Sequence, residues 1–208
     1  MEQINKDLPI VIALCGKSAA GKDTVAHDLN LGLQKHYHKN SGILVSATSR
    51  PPRVGETDGI EYHFVTNEEF EADIDNLCCV TFFNGWYYGL PKSFPYDINI
   101  AVVNPQGLRD LSYTEGINLI PIYLKAPFST RLKRAREREH RFRWEFIRRA
   151  WSDHKTFKEF NLFFNMLPNH LIIDNSCGDG VNYPTPVAMI IGHLTRLNIL
   201  TGGQDAIS

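Results

Sequence analysis

The sequence predicts an α/β fold in which helices cover a central parallel sheet. Apolar runs of strand length alternate along the chain with stretches that are compatible with helices, and this order is typical of a parallel sheet with helices on both faces. A glycine-rich turn lies between the first apolar run and the first helical stretch. A segment rich in turns and β-forming residues, about 49–96, interrupts the alternation and predicts an inserted lobe.

The elements of the main sheet follow from apolar character and from helix signals. Continuous apolar runs predict buried strands at 9–15, 42–46, 98–103, 117–124 and 170–174. Helical patterns are expected at 22–38, across about 127–164 with an interruption, and at 187–197. Aromatic residues at helical spacing predict core packing; they are Trp144, Trp151, Phe157, Phe160, Phe163 and Phe164.

The inserted lobe is predicted from turn chemistry. Pro51, Pro52 and two glycines make 49–59 a loop, which precedes a strand at 61–65 and a helix that begins near Asn67. Two β-rich runs, 77–83 and 86–90, are joined by Asn-Gly, which is the signal of a tight hairpin.

The composition limits the function classes. At 208 residues, with 43% hydrophobic and 22% charged residues, the chain is expected to form one compact domain. A net charge of −1 argues against general binding to nucleic acids or membrane surfaces. The N-terminus carries no signal-peptide pattern, and the four cysteines lack zinc spacing. We therefore expect a cytoplasmic protein with reduced thiols, a monomer or homodimer, without nucleic-acid or membrane partners.

Residues 16–22 read G-K-S-A-A-G-K, which is the spacing of a phosphate-binding loop. The glycines allow backbone N–H groups to converge on an anion, the following helix directs its positive dipole end at the same point, and Lys22 can reach terminal phosphates. The expected contacts to a donor nucleotide are Gly16, Ser18, Ala19, Ala20, Gly21, Lys22, Asp23 and Thr24.

Asp23 stands where such loops usually carry the Ser or Thr that holds magnesium. A carboxylate is a good ligand for this cation, so Asp23 is a candidate magnesium ligand, directly or through water. The alternative is that Asp23 simply occupies a first helical turn, where negative charge is favoured. Thr24 can also face the phosphates in its place.

A second anion site is predicted around residues 48–64, T-S-R-P-P-R-V-G-E-T-D-G-I-E-Y-H-F. A stiff Pro-Pro pair holds Arg50 and Arg53 at fixed spacing, so that two guanidinium groups can bind one phosphate. Tyr62 and, further on, Tyr88 add hydroxyl donors. Two phosphate-binding devices in one chain indicate a donor nucleotide and a phosphorylated acceptor.

This long motif resembles the signature of guanylate kinases, as do F-N-G-W-Y-Y-G near residue 85 and N-P-Q-G-L-R from Asn104. The resemblance covers about residues 9–200. It implies the nucleoside monophosphate kinase fold, with a core at 8–48, 97–130 and 150–208, a monophosphate-binding lobe at 49–96, and an arginine-rich lid at 131–149. The end of the glycine loop also resembles some phage deoxynucleoside monophosphate kinases.

The resemblance assigns roles to individual residues. Lys22 would hold the phosphates of ATP, the expected phosphoryl donor, together with Mg²⁺. Arg50, Arg53, Tyr62 and Tyr88 would bind the acceptor phosphate, and Ser46 would contact the base. In the lid, Arg138 and either Arg148 or Arg149 would close over the transferring group, while most other arginines of this segment are expected to be solvated.

The resemblance fails mainly at the residues that read guanine. The family places a carboxylate where Cys79 stands here, a Ser or Thr where Leu90 stands, and an Asp-x-Asp pair where this chain has residues 102–104, ending in Asn104. Ser93 is an alternative counterpart of the residue at Leu90. A site that loses an acceptor for guanine N–H groups loses discrimination, so an altered or relaxed base preference is expected. The alternatives are that Asn104 or Ser93 restores guanine recognition, or that the chain is a non-catalytic binding module of this family.

Overall fold

The structure, a computed structural model, describes residues 3–52, 55–83, 85–138, 143–176 and 185–200, and the side chains of residues 83, 138, 143–145, 149 and 155 lie outside this description. The strands are β1 (Ile10–Cys15), β2 (Ser41–Ile43), β3 (Ala47–Thr48), β4 (His63–Phe64), β5 (Leu77–Phe83), β6 (Trp86–Pro91), β7 (Ile98–Val103), β8 (Asn118–Lys125) and β9 (Leu171–Asp174). The helices are α1 (Lys22–Tyr37), α2 (Asn67–Ala72), α3 (Pro105–Ser112), α4 (Phe128–Arg138), α5 (Arg143–Thr156), α6 (Phe160–Met166) and α7 (Pro186–Arg196), with a 3₁₀ turn at Ile74–Asn76.

The main sheet has five strands in the order β2-β7-β1-β8-β9. Every neighbouring pair is parallel, as predicted from the alternation of apolar runs and helices. Because β1 lies at the centre, the loop that follows it begins at the middle of the sheet's carboxyl edge. Ligands of open α/β sheets bind at this edge.

The two faces of the sheet bury separate clusters of apolar side chains. Successive side chains of a strand point to opposite faces, and in β1 Ile12 and Leu14 pack on the side of α1 and α7. Val11, Ala13 and Cys15 pack on the other side, against residues of α3 and α6. Helices therefore cover both faces of the sheet, which explains the continuous apolar character of its strands.

A second sheet has the order β4-β3-β6-β5. Strands β4, β5 and β6 belong to the predicted inserted lobe, whereas β3 (Ala47–Thr48) lies just before it, at the end of the segment predicted as core. The hairpin prediction is confirmed, because β5 and β6 pair antiparallel and Gly85 adopts φ 86° in the turn; Asn84 lies outside the described residues. The ladder is irregular between Cys78 and Thr81, where Cys79 adopts φ 54°. The strand prediction at 61–65 holds only for His63 and Phe64.

Three features differ from the sequence-based expectations. Helix α3 was not expected; it begins with Pro105 and is capped by Asn104, whose side chain accepts a hydrogen bond from Gly107 N. The strand expected at 42–46 ends at Ile43, although Leu44 N still donates to Ile100 O at 2.8 Å. The prediction of core packing was wrong for Trp151, which is 82% exposed, and it is confirmed for Phe157, Phe160 and Phe164, which are buried.

Helix α2 begins as its sequence predicts, one residue after a capping side chain. Thr66 accepts a hydrogen bond from Glu69 N, and the Glu69 carboxylate accepts one from Thr66 N, which forms a capping box. None of the helices among the described residues is long and apolar enough to cross a membrane.

Candidate active site

The loop at 16–22, here called the donor loop, joins β1 to α1 and requires both of its glycines. A Cβ atom on Gly16 would lie 2.6 Å from Leu124 O, a contact that no side chain can make. Gly21 adopts φ 92°, and a Cβ atom there would lie 2.7 Å from Asn175 Nδ2. Ala19 also has a positive φ, 61°. The loop therefore packs directly against backbone and side chains of β8 and of the segment after β9.

The Lys22 side chain turns back over the donor loop. Its ammonium group donates to Gly16 O at 2.9 Å and approaches Lys17 O at 3.5 Å. Asp23 and Thr24 follow in the first turn of α1, and both are exposed. The ammonium group, the helix N-terminus and the turn of the loop thus combine positive charge and N–H donors in one place, as an anion-binding site requires.

Side chains from distant parts of the chain hold the carbonyl groups of the donor loop. Asn175 Nδ2 donates to Ala20 O at 2.8 Å, and Arg134 Nη1 donates to the same oxygen at 3.3 Å. Arg134 Nη2 also donates to Asn175 O at 2.9 Å. On the other side, Ser18 N donates to Asp153 Oδ2 at 2.8 Å, and Arg131 Nη1 donates to Ser18 O at 3.2 Å.

The second predicted anion site centres on Arg50, which is only 7% exposed. Its guanidinium group donates to both carboxylate oxygens of Glu56, at 2.9 and 3.0 Å, and to Pro51 O at 2.8 Å. The Tyr62 and Phe64 rings lie 5.4 and 5.5 Å from Arg50 Cζ. Burial opposes the charge of Arg50, but the hydrogen bonds and charge of Glu56 outweigh it, so the pKa of Arg50 is raised.

Tyr62 and Tyr88 lie next to this guanidinium group, and the three residues form what we call the acceptor cluster. The two tyrosine rings are 6.0 Å apart with a T-shaped arrangement. Burial, followed by the negative charge of Asp23, raises the pKa of Tyr62 to about 12. Asp23 belongs to the first turn of α1, directly after the donor loop.

The residues predicted to read the base are held mainly by local structure. Asn104 is exposed, but its Oδ1 atom accepts from Gly107 N at 2.8 Å and its Nδ2 atom lies 3.3 Å from Thr81 Oγ1. A hydrogen bond with Cys78 and burial raise the pKa of Cys79, so this thiol is neutral where the family has a carboxylate. Leu90 is 2% exposed and packs in the core.

The remaining predicted positions have different surroundings. Ser46 is half-buried and its carbonyl oxygen accepts from His63 N at 2.9 Å. Ser93 is exposed and lies beyond the end of β6. Arg53 lies outside the described residues, as do the side chains of Arg138 and Arg149.

The arginine-rich segment contains two residues whose roles the sequence analysis missed. Arg131 is 5% exposed and Arg134 is half-buried, and both contact the donor loop, so the expected solvated face does not include them. Asp153 and Asn175 were missed as well. No spacing pattern marks any of these residues, because their partners are more than a hundred positions away along the chain.

The donor set around the loop is compatible with a magnesium ion that arrives with phosphates. Among the described residues, no three His, Cys, Asp or Glu side chains are grouped as a metal site. Magnesium often has one protein carboxylate and completes its shell with water and phosphate oxygens. The exposed carboxylate of Asp23, next to Lys22, fits this pattern.

Comparison with known proteins places these features in a family. The family model described as guanylate kinase matches residues 8–177. A guanylate kinase of Clostridium perfringens is 46% identical over 96 residues, which are 45% of this chain and 42% of that relative. A guanylate kinase of the onion yellows phytoplasma is 38% identical over 143 residues, covering 62% of this chain and 66% of the relative. The chain thus spans less than two thirds of the length of these relatives.

A solved structure shows a similar fold over most of the chain. The guanylate kinase from Anaplasma phagocytophilum superposes with a TM-score of 0.58 and covers 93% of this chain and 85% of that one. The two sequences are 20% identical, so this likeness concerns the fold.

Proposed function

This chain belongs to the guanylate kinase family, and on that premise we propose that it transfers the γ-phosphoryl group of ATP to the phosphate of a nucleoside monophosphate. The products are ADP and a nucleoside diphosphate, and GMP or dGMP is the default acceptor. The proposal rests on the geometry of two groups of residues that suit anions: the donor loop, where the Lys22 ammonium group lies 2.9 Å from Gly16 O, and the acceptor cluster, where the Arg50 guanidinium group lies 5.4 Å from the Tyr62 ring.

Catalysis in this reaction is alignment and charge neutralisation. The acceptor phosphate is already anionic, so no side-chain nucleophile is required. Lys22 and the N–H groups of the donor loop bind the terminal phosphates of ATP. Arg50, which Glu56 holds in place through two hydrogen bonds, offsets the repulsion between the two substrates. Burial raises the pKa of Tyr62 to about 12, so its hydroxyl stays protonated and can donate a hydrogen bond to the acceptor phosphate.

The magnesium ion that accompanies ATP supplies further neutralisation of phosphate charge. Asp23 would hold this ion directly or through water. The order of the loop supports this assignment, because Asp23 directly follows Lys22 in the first turn of α1.

We extend the proposal to residues that the structure does not describe in full. Arg53 would bind the acceptor phosphate beside Arg50, and Arg138 and Arg149 would close over the transferring group from a lid at 131–149. The lobe at 49–96 would carry the acceptor, and the remaining segments would form the core that carries ATP. Lid closure would exclude water and so limit hydrolysis of ATP.

The base preference is proposed to be weaker than in a site that carries guanine-reading carboxylates. Cys79 is a neutral thiol, Leu90 is buried among apolar residues, and the Oδ1 atom of Asn104 already accepts from Gly107 N. None of the three offers a free anionic acceptor to the two N–H groups of guanine. The phosphate-binding residues are retained, so the expected result is turnover with reduced discrimination between bases.

The test is a coupled assay of ADP formation with the common ribo- and deoxynucleoside monophosphates. We expect turnover with GMP or dGMP and a measurable rate with at least one other base. Asn104→Asp keeps the cap of α3 and adds a carboxylate charge, so it should raise the preference for guanine about tenfold. Asn67→Asp, which adds the same charge at the start of α2, is the control and should leave the preference unchanged.

Two outcomes would contradict parts of this proposal. Exclusive use of GMP or dGMP by the unmodified protein would remove the argument for reduced discrimination. Absence of ADP formation with every monophosphate would favour a non-catalytic binding module, and the proposed reaction would be wrong.

A further inference from the structure

Asp153 on α5 makes a contact with the donor loop that the proposed reaction does not require. Its Oδ2 atom accepts a hydrogen bond from Ser18 N at 2.8 Å, and its Oδ1 atom lies 3.4 Å from Ser18 Oγ. A charged acceptor on a backbone N–H makes one of the stronger hydrogen bonds in proteins. The two residues are 135 positions apart in the sequence, so this hydrogen bond fixes the donor loop relative to a distant helix.

Arg131 on α4 completes the arrangement. Its Nη1 atom lies 3.5 Å from Asp153 Oδ2 and donates to Ser18 O at 3.2 Å. Both backbone polar groups of Ser18 are therefore bound, the N–H by α5 and the carbonyl by α4. Burial lowers the pKa of Arg131, and the charge of Asp153 counteracts that effect.

The contact with Ser18 links the donor loop to helices α4 and α5. Helices α4 and α5 carry the proposed lid arginines, Arg138 at the end of α4 and Arg149 within α5, and the two helices contact each other. The Lys17 ammonium group also lies 5.9 Å from the ring of Phe157, just beyond the end of α5. A change in the position of α5 must therefore move, strain or release the Ser18 peptide.

We propose that Asp153 is a positioning residue for the binding of the donor nucleotide. Asp153 holds the Ser18 peptide and the Arg131 side chain in fixed positions, and it thereby couples helices α4 and α5 to the phosphate-binding loop. This inference rests on the proposed function for its substrate, ATP. Asp153 acts through Ser18 and Arg131 and does not itself contact the reacting groups. If Asp153 instead competed with the ATP phosphates for the N–H groups of the loop, its removal would strengthen the binding of ATP.

The test compares Asp153→Ala and Asp153→Asn with the unmodified protein. Asp153→Ala removes the acceptor of Ser18 N and the partner of Arg131, so the KM for ATP should rise about tenfold, the size expected for one charge-assisted hydrogen bond. The KM for the monophosphate should change less than about twofold, because the acceptor cluster has no contact with Asp153. Asp153→Asn keeps an acceptor oxygen without its charge, so its KM for ATP should lie between those of the unmodified protein and of Asp153→Ala.

A matched control is Asp28→Ala, which removes an exposed carboxylate from α1 and should leave both KM values unchanged. Hydrogen–deuterium exchange of the peptide that covers residues 16–22 gives a readout independent of turnover, and it should become faster in Asp153→Ala. Calorimetric binding of a non-hydrolysable ATP analogue gives the affinity directly.

Three results would overturn the inference: an unchanged KM for ATP, an equal rise in both KM values, or tighter binding of the ATP analogue. The last of these would identify Asp153 as a competitor of phosphate. If the unmodified protein phosphorylates no monophosphate, the proposed function fails, but analogue binding and hydrogen exchange still decide the role of Asp153. If Asp153→Ala does not fold, the same measurements on Asp153→Asn decide it.

Discussion

The donor loop and the acceptor cluster are both proposed to bind phosphate, but they are held in different ways. Asn175, Arg134, Arg131 and Asp153 fix the donor loop from positions 113 to 155 residues away. In the acceptor cluster, Arg50 is fixed by Glu56, six residues further along the chain. The donor loop therefore depends on the assembled core, whereas Arg50 is fixed by its own short segment and Tyr88 joins it through the pairing of β3 with β6.

A second difference lies within the acceptor side itself. The groups proposed to bind the phosphate, Arg50 and Tyr62, are buried or partly buried and contact each other. The groups expected at the base are a neutral thiol, a helix cap and a buried leucine. Phosphate binding and base reading can thus diverge separately, because different side chains carry them.

The largest effect is expected at the donor loop. Lys22→Ala removes the ammonium group that lies across the loop, and the rate of phosphoryl transfer should fall by at least about 10²-fold, because charge developing in the transition state loses its partner. Steady-state assays with saturating monophosphate measure this. Lys35→Ala removes an exposed lysine near the other end of α1 and should retain full activity. Near-normal activity of Lys22→Ala would contradict the role of the loop.

A smaller effect tests whether the donor loop depends on its distant contacts. Gly21→Ala places a Cβ atom 2.7 Å from Asn175 Nδ2 at a positive φ, so ATP affinity should fall about tenfold or more as the Asn175 side chain is displaced. Gly85→Ala has a similar φ but open space around the new Cβ atom. It should cost about 1 kcal/mol of stability and leave ATP affinity unchanged. Calorimetric titration with ATP compares the affinities of the two glycine variants.

Equal loss of ATP affinity in both glycine variants would mean that backbone strain alone matters. The contact with Asn175 would then be irrelevant to ATP binding, and the contrast between a loop held by the core and a locally held cluster would lose its main support.

The smallest effect concerns alkaline stability. Burial raises the pKa of Cys15, beside the donor loop, from 9.0 to about 12, and that of Tyr62 from 10.0 to about 12. A raised pKa in the folded state gives a stabilisation that is complete below the ordinary pKa and is lost as pH rises towards the folded value. Each group should lower the free energy of unfolding by about 1.4 kcal/mol per pH unit in its window.

Variants of Cys15 and of Tyr62 show how much of this alkaline loss of stability comes from the donor loop region and how much from the acceptor cluster. Urea unfolding between about pH 8.5 and 11 should show that Cys15→Ala flattens part of the fall that begins near pH 9, since its side chain cannot ionise. The rest of this fall remains, because the pKa of Cys79 is raised as well. Tyr62→Phe should flatten only part of the fall above pH 10, where Tyr123 also contributes. An unchanged slope between about pH 9 and 10 in Cys15→Ala would show that the thiol is not desolvated as the structure indicates.

The contrast between the two regions also explains which parts of the molecule the sequence could predict. The strands β1, β7 and β8 are apolar runs, and Arg50 and Tyr62 lie within one short motif, so local patterns were enough to predict these strands and to select these two residues. The role of Arg50 and Tyr62 in binding phosphate stays a prediction. The supports of the donor loop are side chains brought together only by the packing of α4, α5 and the segment after β9. Helix α3 was missed because it is only eight residues long, although Asn104 followed by Pro105 is a helix start signal and Leu108 and Leu111 follow at helical spacing.

The central claim is that one molecule brings the phosphates of ATP and of a monophosphate together for direct transfer. Incubation with ATP labelled at the γ-phosphorus, with GMP, dGMP and the other common monophosphates in parallel, tests it most directly. We expect label in the β-phosphate of a nucleoside diphosphate, with one ADP formed for each. Label that remains in ATP, or that appears only as inorganic phosphate, would show that no direct transfer takes place.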